Sequence, residues 1–124
     1  MAKNTVKNMA VVFGIFFIAL GILGLIPGCA PGGMLFGAFQ VNGAHNFLHL
    51  VTGIAALWTG IVSKAAAKAF FKVFGIVYVI LALLGFLGGD GNMVLGMFSS
   101  NMADSWLHLI TGVIALYFGF NKKK

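Results

Sequence analysis

Residues 42–60, NGAHNFLHLVTGIAALWTG, return as NMADSWLHLITGVIALYFG at residues 101–119, with about half of the aligned positions identical. Upstream of each copy the match continues, VFGIFFIALGILGL (residues 12–25) against VFGIVYVILALLGF (residues 73–86). A chain that writes one two-segment unit twice is tightly constrained. Whatever the first half folds into, the second must fold into as well, and the halves must pack on one another.

Each segment is apolar over the length a helix needs to cross a hydrocarbon core, roughly 18–20 residues. The runs lie at residues 9–26, 44–62, 70–88 and 103–120. Composition then decides the solvent. The chain is 60% hydrophobic and 8% charged, whereas soluble domains carry about 25% charged residues. Such a chain cannot cover a water-facing surface. The expected fold is an all-α integral membrane protein, one domain over residues 1–124. Its four transmembrane helices come from two tandem, parallel helical-hairpin repeats, residues 9–62 and 70–120.

Residues 1–29 imitate a lipoprotein signal, with Lys3, Lys7, an apolar run and a cysteine. Pro27 suits such cleavage poorly, and the run is the repeat partner of residues 73–87, so it reads as a retained span. Cys29 is the single cysteine, which excludes an intrachain disulfide.

The net charge of +6 suggests nucleic acid only until the lysines are placed. They sit at the ends of apolar runs, in the N-terminus, the middle connection SKAAAKAFFK and the tail NKKK. No nucleic-acid partner is expected. By the positive-inside rule both termini and the middle connection face the cytoplasm, in a bacterial plasma (inner) membrane. The other two connections carry no lysine, hold the apolar patches MLFGAF and MVLGMF, and lie at the interface or fold back into the bundle mouth. Asn42 and Asn101 read as helix N-caps.

On a helix, Asn42, His45, Asn46, His49, Thr52, Gly53, Ala56 and Gly60 form one stripe. Asn101, Asp104, Ser105, His108, Thr111, Gly112, Ala115 and Gly119 form its counterpart. Unpaired polar groups in hydrocarbon cost several kcal/mol each, about enough to turn both stripes inward. Small residues at Gly14, Gly21, Gly24, Gly75 and Gly85, with Gly53 and Gly112, allow close helix approach. Leu57 and Leu116 read as tolerant flanks of the stripe.

The polar residues His45, Asn46, His49, Asp104, Ser105 and His108 support several readings. One is a purely structural clasp, with His49 opposite His108 and His45 near Asp104. A second is a metal site, since the i,i+4 pairs His45/His49 and Asp104/His108 offer three imidazoles and a carboxylate, suited to zinc, copper or iron. A third is haem between His49 and His108, with Gly53 and Gly112 one turn deeper leaving room for a flat ligand. A fourth is a solute path, opposed by the lack of a second intramembrane charge or a broken helix. Catalysis is not expected: Ser105 and His108 are i,i+3 neighbours, but Asn46 stands at the Ser position of the first repeat, and nothing local activates Cys29.

The pattern Asn-x-x-His-Asn-x-x-His in one repeat and Ala-Asp-Ser-x-x-His in the other resembles a domain-of-unknown-function family of small bacterial four-span membrane proteins. The resemblance covers nearly the whole chain. It implies a four-span membrane fold, with Asn46, His49, Asp104 and His108 at recurring polar positions, and it implies no activity. The leading expectation is a non-enzymatic structural or accessory unit, needing no cofactor, that self-associates or docks on a larger membrane complex. A metal- or haem-binding protein and a small-solute transporter follow.

Overall fold

The computed structural model describes residues 4–88 and 92–121. Lys3 and the terminal lysines used in the orientation argument lie outside them. Four helices, α1 (Thr5–Leu25), α2 (Gly43–Val62), α3 (Lys64–Gly88) and α4 (Met102–Phe120), are each long and apolar enough to cross a membrane. Their exposed faces carry Val, Ile, Leu, Phe and Trp, including Trp58 and Trp106, the side chains that lipid accepts.

Two boundaries differ from the sequence reading. Helix α1 starts at Thr5, and α3 starts at Lys64, so the middle connection shrinks to Ser63. The reason lies in SKAAAKAFFK itself. Alanine and lysine are good helix formers, and the Ser63 hydroxyl accepts the Ala66 amide at 3.0 Å, starting the helix at once. At the same end Lys68 Nζ donates to the Asn121 carbonyl at 2.6 Å, satisfying a group beyond the last turn of α4.

The apolar connections are not plain loops. Each holds a small antiparallel hairpin, β1 (Met34–Leu35) with β2 (Phe39–Gln40), and β3 (Asn92–Val94) with β4 (Phe98–Ser100). Phe36 and Gly37 have φ of 56° and 72°, and Leu95 and Gly96 have 56° and 70°. Two successive positive φ values under an Ala38 N–H to Leu35 carbonyl bond, repeated from Met97 to Val94, make a type I′ turn. The patches MLFGAF and MVLGMF are thus turn sequences in which Leu35 and Val94 are buried while Phe36 and Leu95 at the turns are exposed.

Helix α1 packs chiefly on α2, and α3 on α4. The approach is close enough to need glycine. A β-carbon on Gly53 would fall 2.6 Å from the Ile18 amide nitrogen and 2.8 Å from the Gly14 carbonyl oxygen. One on Gly75 would fall 2.9 Å from the Leu116 nitrogen, and one on Gly112 would fall 3.1 Å from the Val79 nitrogen. Gly21 accommodates Leu50, Gly24 accommodates the Asn46 side chain, and Gly85 accommodates Ser105 Oγ.

Between the pairs, α2 and α3 adjoin, as do α1 and α3, while α2 and α4 scarcely approach along the main chain. The space left over is filled in two ways. Toward the lysine end Phe13, Phe17, Phe71, Phe74 and Tyr78 form a buried aromatic stack. Toward the hairpin end the space is filled by histidine.

Candidate functional site

The first turns of α2 and α4 set the depth of the polar groups. Asn42 Oδ1 accepts the His45 amide at 2.8 Å, and Asn101 Oδ1 accepts the Asp104 amide at 3.0 Å. Both asparagines are therefore N-caps, and His45 and Asp104 occupy the same place in their helices. The buried face of α2 is His45, Asn46, His49, Thr52, Gly53, Ala56 and Gly60. That of α4 is Asp104, Ser105, His108, Thr111, Gly112, Ala115 and Gly119. Both inward stripes match the helical spacing.

Three imidazoles converge where α2 faces α4. His45 Nε2 lies 3.4 Å from His108 Nε2, and the ring centroids of His45 and His49 are 4.4 Å apart. His49 and His108 stand 5.9 Å apart by centroid. One nitrogen from each ring can be chosen so that all lie within 4.8 Å of one another. Aromatic rings wall the group. Phe17 packs on His49 at 5.5 Å, Tyr78 meets His108 edge-on at 5.0 Å, and Phe98 of the second hairpin lies 6.4 Å from His45.

Asp104 is outside this group. Its Oδ2 accepts the Asn101 amide at 3.0 Å, closing a capping box, and the Gln40 amide of the first hairpin lies beside the same carboxylate. The fourth ligand of the sequence reading is thus engaged in holding a helix start and a hairpin. The haem reading meets a different obstacle: the space beside Gly53 and Gly112 is filled by α1 and α3, so no slot for a flat macrocycle exists there.

Several buried polar atoms have no hydrogen-bond partner within the described protein: both ring nitrogens of His49, Asn46 Oδ1, Asp104 Oδ1 and Ser105 Oγ. A buried polar group left unpaired costs about 1–3 kcal/mol, so the cluster at His49 calls for an explanation.

One pair was not singled out from sequence. Thr52 Oγ1 and Tyr78 Oη are 2.9 Å apart and buried, joining the two halves just below the histidines. The available signal was the repeat itself: Tyr78 is the polar departure from Phe17, its partner in the aligned spans.

The helices and the buried polar face define a small four-helix integral membrane protein with a histidine-lined core. Within that class, the chain belongs to DUF4383, a domain of unknown function, which matches residues 7–121. No curated protein and no solved structure matches it.

Proposed function

We propose that this chain is a non-enzymatic membrane protein that holds one metal ion on His45, His49 and His108. The observation that carries the reading is the meeting of three buried imidazoles around His49, whose two nitrogens have no protein partner among the described residues. Nitrogens bound to one ion at about 2.0–2.1 Å lie about 3.3–3.6 Å from each other, across tetrahedral and trigonal angles. The 3.4 Å between His45 and His108 matches that spacing and is long for a good hydrogen bond.

The sequence supports placing this site in the outer half of a bacterial inner membrane, with both termini cytoplasmic. Lys7, Lys64, Lys68 and Lys72 all sit at the end opposite the hairpins. Labelling tests this orientation: Cys29 should react from outside, and a cysteine at Lys68 only from inside. Docking on a larger membrane complex is compatible with the same site.

The deciding experiment is elemental analysis of the purified protein with thermal unfolding before and after chelator treatment. Stoichiometric metal and a lowered midpoint after its removal are expected. His49→Leu should lose the metal and match the stripped wild type. A metal-free chain that His49→Leu stabilises, by removing unpaired nitrogens, would overturn the reading in favour of packing alone.

A further inference from the structure

Resting on that three-histidine reading, we propose that the ion taken is monovalent copper, Cu(I), rather than a divalent metal. The argument begins with charge. His45, His49 and His108 are the only ligands the group offers among the described residues, and all three are neutral when they bind. The carboxylate that could have offset a second positive charge, Asp104, is outside the group, with its Oδ2 held by the Asn101 amide. The histidines are 0%, 1% and 4% exposed. Burial therefore also keeps out the bulk water that could supply hydroxide to a divalent ion.

The cost of placing an ion in a low-dielectric interior rises with the square of its charge, so a divalent ion costs about four times a monovalent one. A neutral, dry, membrane-embedded site selects for the lower charge. Three converging nitrogens with no fourth His, Cys, Asp or Glu among the described residues also suit a closed-shell ion that accepts three-coordination, and imidazole is a good copper ligand. The walls agree: Phe17, Tyr78 and Phe98 surround the rings with aromatic groups, which stabilise a monovalent cation better than they could hydrate a divalent one.

Five of the chain's seven sulfur-bearing residues are at the same end, Met1 and Met9 being the exceptions. Cys29, Met34, Met93, Met97 and Met102 all lie in or beside the two hairpins, with Met93 and Met97 exposed at 45% and 51%. Thioether and thiol are the soft donors that prefer Cu(I). Phe98, which follows Met97 in the second hairpin, packs on His45, so the hairpin that carries Met93 and Met97 also walls the site.

The test is competition on the full chain in detergent under anaerobic, reducing conditions. Cu(I) is titrated against a chromogenic Cu(I) chelator, and Zn(II) against a zinc chelator, in parallel. The expected result is one Cu(I) per chain, held more tightly than Zn(II) by about tenfold or more. X-ray absorption should show a three-coordinate, nitrogen-only copper shell. Asp104→Asn, which can still cap its helix, should bind as wild type does, and His49→Gln should lose the site. Zn(II) bound as tightly as Cu(I), or an oxygen from Asp104 in the shell, overturns the copper assignment and leaves the three-histidine site standing. Failure of both ions to bind overturns both.

Discussion

Asn42 and Asn101 exchange hydrogen bonds across the molecule: Asn42 Nδ2 donates to the Met97 carbonyl at 2.9 Å, and Asn101 Nδ2 donates to the Ala38 carbonyl at 2.8 Å. The two carbonyls hold matching places in the two hairpins. Each asparagine therefore does two jobs, capping its own helix with Oδ1 and gripping the other half's hairpin with Nδ2. Aspartate keeps the acceptor and removes the donor. Asn42→Ala should lower stability by about 1–2 kcal/mol, the range for a lost cap, and Asn42→Asp by clearly less. Thermal unfolding in detergent reads the difference, and equal losses would mean that the cap contributes nothing.

The glycine contacts are graded, and so should be the cost of filling them. A β-carbon at Gly53 meets the Ile18 main chain at 2.6 Å, whereas one at Gly112 meets the Val79 main chain at 3.1 Å. Gly53→Ala should destabilise by more than Gly112→Ala, within the roughly 1–3 kcal/mol typical of overpacking. Denaturation in mixed micelles would check the order; the reverse order contradicts the helix approach described above.

Gly85 offers a suppressor. A β-carbon there would collide with Ser105 Oγ, an atom with no partner among the described residues. Ser105→Ala alone should be near neutral, because removing an unpaired buried hydroxyl costs little. Gly85→Ala should be destabilising, and the double variant should recover most of the loss. Additive losses in the unfolding midpoint would rule this contact out as the cause.

Thr52 and Tyr78 tie α2 to α3 below the histidines with their 2.9 Å contact. Thr52→Val and Tyr78→Phe should each destabilise, and a double-mutant cycle should return a coupling of about 0.6 kcal/mol, the average for such bonds in membranes. A coupling of zero would show that the two hydroxyls find other partners.

Much of this architecture was legible because it rests on period and cost. The spacing of His45, Asn46, His49 and Thr52, and of Asp104, Ser105, His108 and Thr111, placed both stripes inward, and both are the buried faces. What escaped depended on contacts between segments. Leu57 and Leu116 read as tolerant flanks, yet they are the residues seated against Gly14 and Gly75. A β-branched replacement there would meet the neighbouring helix. Asp104 read as a ligand because its spacing from His108 permits it, and only the Asn101 amide shows where its carboxylate went. The turn in MLFGAF was hidden because Phe36 and Leu95 adopt a backbone conformation that large side chains rarely take.

The exchanged asparagine bonds fix the two halves at the hairpin end, and Ser63 joins them at the other. A body fastened at both ends has no free hinge. The rocking of one half against the other that carries solutes through larger two-repeat transporters would have to break one of these fastenings. Traffic to the histidines is then a local event. Reaching them with all four helices in place means loosening a hairpin: the first is held to the far half by Asn101 Nδ2 and by its Gln40 amide on Asp104, the second by Asn42 Nδ2 and by the packing of Phe98 on His45.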